Sequence, residues 1–187
     1  TLLATLVGTL IAVVVGLALC ILRIARLPYV SAACGFWIQF IRGTPFLVQL
    51  YFIFYVAPNW GIAFSAFATG VVALGVYYGS YAAEIYRAGI EDLPAGQWEA
   101  ALTLGLPLKR VWLGIVLPQA VRAVLPVLAN LVIAMFKESA LLSSITVMEL
   151  LASGKAIGSI NFRYIEPLTM VGVLYFIISY GSARAVR

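Results

Sequence analysis

The feature that most constrains this chain is its long uncharged runs. Residues 1–22 contain no charged side chain, and neither do the 41 residues of 43–83. A helix needs about 20 mostly apolar residues to cross the hydrocarbon layer of a membrane. The chain is also 64% hydrophobic and 10% charged, whereas soluble domains are about half apolar and a quarter charged. These properties exclude an ordinary water-soluble globule.

The apolar runs predict an all-α integral membrane protein with five transmembrane helices in a single domain, 1–187. The run at 43–83 is long enough for two spans, and the cluster of Pro58, Asn59 and Gly61 marks a turn between them. The predicted spans lie at about 1–22, 31–56, 64–86, 123–136 and 167–183. The first is predicted to be a retained span, because it is too long for a signal-peptide core and lacks a basic lead. A loop is predicted at 153–161.

The Lys and Arg residues predict the orientation, because cytoplasmic loops carry an excess of them. If the chain starts outside, eight lie on the cytoplasmic side and two outside. The cytoplasmic set is Arg23, Arg26, Arg87, Lys109, Arg110, Arg122, Arg184 and Arg187, and the external pair is Lys155 and Arg163. The N-terminus is therefore predicted outside and the C-terminus in the cytoplasm. The net charge of +5 forms no basic stripe, so no nucleic-acid partner is expected.

Residues 84–122 are too polar to cross a membrane, since they hold eight of the nineteen charges of the chain. Residues 94–105 are predicted to form a short helix that begins near Pro94 and stops at Gly105. Residues 107–116 are predicted to form a second one, with apolar side chains on one face. The pair predicts a compact helix-turn-helix that docks into a concave site on a partner. The alternative is an amphipathic connector that lies on the lipid headgroups. The four acidic residues of this segment balance its four basic residues, however, and such a composition binds an anionic leaflet poorly.

Several short motifs, in this order, resemble those of ABC importer permeases. Glu99-Ala100-Ala101, then Gly105, then Leu117-Pro118 are similar to the EAA loop of that family. RGTP at 42–45, AEIYRAGI at 83–90, GQWE at 96–99 and LPQA at 117–120 resemble the polar amino acid (histidine/glutamine-type) branch. The resemblance covers nearly the whole chain. It implies a type I ABC importer permease fold with two short cytoplasmic coupling helices within about 91–118.

The resemblance also implies how this loop works. In that family the two helices lodge in a groove on a separate ATP-hydrolysing subunit, whose closure on ATP rocks the permease between outward-facing and inward-facing states. On this chain, Glu99 would make a polar contact with the ATPase, and Ala100 and Ala101 would permit tight seating. The implied coupling residues are Glu99, Ala100, Ala101, Gly105, Leu117 and Pro118. Independently of the resemblance, the small side chains of the two alanines favour close approach to a partner, and the helix stop at Gly105 favours a turn between the two helices.

The sequence contains no visible catalytic centre, so a transport subunit rather than an enzyme is predicted. A phosphate-cradling GxxxxGK[ST] motif is absent, and without any His the serines lack an activating base. No metal site or bound cofactor is expected on this chain. The resemblance implies a dimer of ATPase subunits carrying ATP and Mg²⁺, a second permease chain that is identical or related, and a periplasmic or lipid-anchored solute-binding protein. It places the assembly in the lipid of the bacterial cytoplasmic (inner) membrane.

Polar side chains in or near the spans predict the substrate path. A charge inside a span is costly unless it is paired or faces water, and a zwitterion needs a cation, an anion and hydroxyl or amide groups. The predicted lining residues are Arg42, Thr44, Gln49, Tyr81, Glu84, Lys137, Glu138, Ser139 and Glu149. Arg42 lies beside Gly43 and Pro45, where a helix break could expose backbone groups. For Glu84 the alternative is a local ion pair with Arg87.

The predicted function is ATP-driven, binding-protein-dependent import of polar amino acids or related small zwitterions, compatible solutes included. Where the family often has Lys-Asp-Thr-Ser-Leu, this chain has KESAL at 137–141, so no substrate preference is carried over. The alternative is a secondary transporter or channel subunit for small polar solutes, which would need ion-coupling or filter residues of its own. A third class, a structural scaffold, predicts no substrate-dependent phenotype on deletion.

Overall fold

The computed structural model describes residues 1–25 and 27–186, so Arg26 and Arg187 of the predicted cytoplasmic set lie outside the described residues. Every regular element in the described part is helical. The helices are α1 (Leu2–Ile24), α2 (Pro28–Gly43), α3 (Phe46–Tyr51), α4 (Ala66–Glu91), α5 (Ala95–Thr103), α6 (Leu108–Val111), α7 (Leu117–Glu138), α8 (Leu150–Asn161) and α9 (Ile165–Ala185).

Four to five helical segments within the described residues are long and apolar enough to cross a membrane. Four are single: Leu2–Ile24, Ala66–Glu91, the continuous Leu108–Ile145, and Ile165–Ala185. The fifth would be a bent pair, in which Pro28–Gly43 and Phe46–Trp60 meet at 102°. The span predicted at 31–56 is thus interrupted in its middle. Pro45 lacks an amide hydrogen and disfavours helical backbone at Thr44, which is extended (φ −110°, ψ 142°).

Two local expectations were wrong. Residues 153–161, predicted as a loop, form most of α8. A Cβ added at Gly154 would lie 2.6 Å from Val171 Cγ2, so α8 is stabilised by unusually close packing on α9, which no local pattern reveals. The second helix of the polar island also does not end near 116. It continues through a π-helical turn at Trp112–Val116 into α7, because Val116 and Leu117 keep right-handed helical backbone.

The core that positions the site is built around α4. Helix α1 lies along it at close range, since a Cβ at Gly16 would be 2.8 Å from the Ala82 Cβ and 3.0 Å from the Gly79 carbonyl oxygen. On another side, the 3₁₀-helical segment Ser139–Ile145 at the end of α7 packs Leu142 over Gly70. Small residues therefore allow α4 to contact several helices at once.

Candidate functional site

The turn between α5 and α6 is closed by backbone hydrogen bonds and one glycine. The Gly105 amide donates to the Leu102 carbonyl (2.9 Å), and the Leu106 amide donates to the Ala101 carbonyl (3.2 Å). This pattern is a Schellman motif, which requires a left-handed residue after the helix. Gly105 supplies it with φ +66°. The turn predicted at this glycine is confirmed, and it results from backbone conformation rather than from lack of space, because a Cβ there would meet nothing within 4 Å.

The two alanines of the motif lie in different surroundings. Ala100 is exposed beside the exposed Glu99, whereas Ala101 is buried in a small core with Val111 and Val116. The same core is closed by a pair that the sequence reasoning did not single out: the rings of Trp98 and Trp112 meet edge to face with centroids 5.2 Å apart. Two large aromatic residues in a short polar segment are the signal that could have revealed it.

The tip of this helix-turn-helix is apolar. Leu102, Leu104 and Leu108 are 54%, 77% and 63% exposed. Clustered exposed apolar side chains are typical of surfaces that bind a partner. Leu117 and Pro118 lie away from this tip, in the first turn of α7, and both are exposed. The predicted coupling residues therefore lie in three places. Ala101 is buried in the small core, and Leu117 and Pro118 begin α7. The exposed ones, beside the apolar tip, are Glu99, Ala100 and Gly105.

Three of the predicted substrate-path residues, Arg42, Tyr81 and Glu138, lie at one cluster of tyrosines on α4. The Arg42 guanidinium carbon lies 4.9 Å from the centroid of the Tyr81 ring, within the range of cation–π attraction. The Tyr81 hydroxyl lies 3.3 Å from that of Tyr77. The Glu138 carboxyl lies close to the phenols of Tyr77 and Tyr78, and its Oε2 is buried without a hydrogen-bond partner in the described part of the chain. A cation and a carboxyl with one oxygen lacking a hydrogen-bond partner thus flank one tyrosine cluster.

Thr44 and Gln49 lie next to this cluster and stabilise the helix break. The Gln49 amide nitrogen donates to the Ile41 carbonyl (2.7 Å) and lies 2.6 Å from the Thr44 hydroxyl oxygen. The Thr44 hydroxyl in turn donates to the Phe40 carbonyl (3.0 Å). These bonds satisfy carbonyl groups that the end of α2 leaves without helical partners. They hold the α2 terminus, and with it Arg42, at a fixed position.

The other predicted path residues lie in separate environments. Glu84 forms the local ion pair with Arg87 at 2.6 Å, and Arg87 also contacts Glu91. Lys137 is exposed. Ser139 is buried and its hydroxyl donates to the Phe136 carbonyl (2.7 Å). Glu149 is buried in a network of its own at the start of α8.

A large apolar cavity, of about 780 Å³, lies between α1, α4 and α7. Its walls include Cys20, Ile24, Trp112 and Leu117, and none of the predicted substrate-path residues lines it. Apart from Tyr86 and Trp112, its walls are aliphatic side chains and Cys20, so a polar zwitterion would find few hydrogen-bonding groups there to replace water. The tyrosine cluster with Arg42 and Glu138 therefore suits a polar solute better than this cavity does.

Comparison with known proteins connects this architecture to a family. The family of "binding-protein-dependent transport system inner membrane component" proteins matches residues 8–186. A "probable amino-acid ABC transporter permease protein" of Sinorhizobium fredii is 41% identical over 187 residues, covering 100% of this chain and 81% of that protein. An "L-cystine transport system permease protein" of Bacillus subtilis is 34% identical over 184 residues, covering 96% and 77%.

Solved structures agree with the sequence relatives. A crystal structure of an amino acid ABC transporter with histidines superposes with a TM-score of 0.93 at 34% identity, covering 98% of this chain and 86% of that one. A methionine ABC transporter in an inward-facing conformation has a TM-score of 0.70 at 19% identity, covering 99% and 88%, and supports the fold alone. The chain belongs to the family of binding-protein-dependent transport system inner membrane components.

Proposed function

We propose that this chain is the permease subunit of an ATP-driven, binding-protein-dependent importer of polar amino acids or related small zwitterions. Membership of the family and the relatives named as amino-acid permeases support the class of transporter. The observation that carries the proposal is the exposed leucine tip of α5–α6, a short helical pair between helices long and apolar enough to span a membrane. A transport subunit without a motor of its own needs such a surface to receive force from one.

The proposed topology has five spans, with the bent pair of α2 and α3 counted as one crossing. The chain then starts outside, α5 and α6 lie in the cytoplasm, and α9 returns to the cytoplasm. The charge distribution supports this orientation, because Lys109 and Arg110 of α6 and Arg184 of α9 fall on the same side. Lys155 and Arg163 fall on the other side. The proposal also includes a single domain and a location in the bacterial inner membrane, which the description of the family supports.

The proposed coupling surface is the region 91–118. Glu99, Ala100 and the exposed leucines contact a groove on the ATPase, whereas Ala101 contributes by keeping α5 packed on α6. Because α6 continues through a π-helical turn into α7, we expect a displacement of the tip to be carried along this continuous helix toward Glu138. Leu117 and Pro118 lie on this path. ATP and Mg²⁺ bind to the ATPase dimer, which works with a second permease chain and an external solute-binding protein.

The proposed solute contact is the cluster of Arg42, Tyr81 and Glu138. The guanidinium suits the carboxylate of an amino acid, and the unpaired Glu138 oxygen suits its ammonium group. Thr44 and Gln49 position Arg42 from the helix break. Lys137 and Ser139 remain predictions as lining residues outside this cluster. Glu84 is instead engaged by Arg87, and the Glu149 oxygens are engaged by a network of their own.

Reconstitution of the complete transporter tests this function. The permease is purified with the ATPase and solute-binding protein encoded beside it and placed in liposomes loaded with ATP. We expect uptake of a radiolabelled amino acid that requires internal ATP, and ATP hydrolysis that the liganded binding protein stimulates. Uptake driven by an ion gradient without ATP would instead establish the secondary-transporter alternative and refute the proposal.

A further inference from the structure

The most completely hydrogen-bonded carboxylate in the described residues is that of Glu149, which is only 2% exposed. Its Oε2 accepts hydrogen bonds from the Tyr175 hydroxyl (2.9 Å) and the Thr1 hydroxyl (3.2 Å). Its Oε1 accepts one from the Ala152 amide (2.7 Å). The Thr1 hydroxyl also accepts from the Leu150 amide (2.9 Å). One side chain thus joins the start of α1, the start of α8 and the middle of α9.

This network compensates for the burial of a carboxylate among membrane-spanning helices. A buried acid is tolerated only where it is paired or fully hydrogen-bonded. No Lys or Arg forms an ion pair with Glu149 in residues 1–25 and 27–186, so its partners are two hydroxyls, an amide and the positive end of the α8 dipole. With each oxygen already engaged, the carboxylate is better suited to holding helices together than to receiving a solute.

The helices that Glu149 joins pack mainly on different neighbours. Helix α1 packs chiefly along α4 and less extensively on α7, whereas α9 packs on α8 and α7. Helices α8 and α9 form a tight hairpin, in which Gly154 faces Val171 and Gly158 faces Tyr164. Glu149 bonds to Tyr175 inside this hairpin and also to Thr1, the residue that precedes α1. Breaking these bonds would loosen the start of α8 without altering the glycine contacts within the hairpin.

We propose that Glu149 is a positioning residue that latches the start of α8 to α9 and, through Thr1, to the start of α1 in the resting conformation of the permease. Releasing this latch makes the change of state easier, and the partner ATPase reports that change. The proposal rests on the proposed function in this respect, because hydrolysis by the partner is one of its readouts. It assigns Glu149 to the control of conformation rather than to solute contact.

Two substitutions break the bond between Glu149 and Tyr175, which holds the start of α8 to α9, from its two sides. In Glu149→Gln the amide nitrogen cannot accept a hydrogen bond from the Tyr175 hydroxyl, and Tyr175→Phe removes that hydroxyl. The control is Tyr180→Phe, because the Tyr180 ring stacks on Phe176 at 5.5 Å and is exposed on the same helix. All variants are prepared as the assembled transporter. ATP hydrolysis without the binding protein and amide hydrogen exchange at 150–153 are measured for each.

We expect both latch variants to raise the unstimulated hydrolysis rate and the exchange rate at 150–153 by up to about tenfold, as the loss of a hydrogen bond to a charged group allows. The double variant should add little to either single one, because both remove the same bond. The solute preference and the Tyr180→Phe control should match the unsubstituted protein. Faster exchange in a transporter that shows no ATP-driven uptake would support the latch and refute the proposed function separately.

Two results would overturn the latch. One is unchanged exchange at 150–153 in both variants. The other is an altered solute preference in Glu149→Gln while Tyr175→Phe behaves like the unsubstituted protein, which would assign Glu149 to solute contact instead.

Discussion

Replacing Gly105 is expected to separate ATP hydrolysis from transport, because this residue sets the angle between α5 and α6. Its backbone is left-handed at φ +66°, a conformation that costs a residue with a Cβ about 1–2 kcal/mol. Space is not the obstacle, since a Cβ would meet nothing within 4 Å. The free-energy cost of a substitution therefore comes from the backbone conformation of the turn. A penalty of about 1–2 kcal/mol lowers the population of the correct turn roughly 5- to 30-fold relative to its alternatives.

We expect Gly105→Ala to lower ATP-driven uptake by up to this factor while the protein still assembles in the membrane. Gly105→Asp should uncouple hydrolysis from transport at least as strongly, because it also places a carboxylate beside the exposed Leu104. The matched control is Gly96→Ala, since Gly96 lies in helix α5 and its Cβ would also meet nothing within 4 Å. Uptake and binding-protein-stimulated hydrolysis are measured on equal amounts of reconstituted transporter.

The reasoning would be refuted if Gly105→Ala transported at the rate of the unsubstituted protein. It would equally fail if Gly96→Ala lost as much uptake as Gly105→Ala, because the effect would then come from adding any side chain to this surface rather than from the left-handed turn.

The remaining predictions concern the tip, the solute cluster, the α1–α4 contact and the local ion pair. Leu104→Asp should abolish co-purification of the ATPase without changing the melting temperature, because this side chain is 77% exposed; retained co-purification would contradict the docking role. Arg42→Gln should lower uptake at least tenfold with unchanged assembly, measured against Glu84→Gln, which should retain uptake because its partially exposed ion pair is local. Gly16→Ala should lower the melting temperature, since overpacking of this kind costs about 1–3 kcal/mol, whereas Gly172→Ala, with open space around it, should not.

Much of the candidate site was accessible to sequence reasoning because it depends on local chemistry. The end of α5 at Gly105 was predictable, since a glycine that follows a helical segment and precedes a proline is a local stop signal. The ion pair of Glu84 and Arg87 follows from a spacing of three residues on one helix. The roles suggested for Ala100 and Ala101 were less separable, because only the folded chain shows that Ala101 is buried while Ala100 is exposed.

Other features depend on residues far apart in the chain. Nothing local indicates that Arg42 lies over Tyr81 or that Glu138 approaches the same tyrosines. The helical state of 153–161 was missed because its glycines read as a loop, while the packing of Gly154 against α9 supplies the stabilisation. The break between α2 and α3 was suggested locally by Gly43 and Pro45, but their angle of 102° depends on packing that no local pattern reveals.

By itself, the sequence determined that the chain is a helical membrane protein with a polar island between its spans. It could do so because a bilayer forces about 20 apolar residues into every crossing and excludes unpaired charges from it. The tertiary structure alone decided that the island continues as a helix into α7, that a cation and an acid lie at one tyrosine cluster, and that Glu149 joins Thr1, α8 and α9. These outcomes depend on close helix packing and on hydrogen bonds that join residues as many as 149 positions apart in the sequence. Such long-range contacts produce no periodic pattern along the chain.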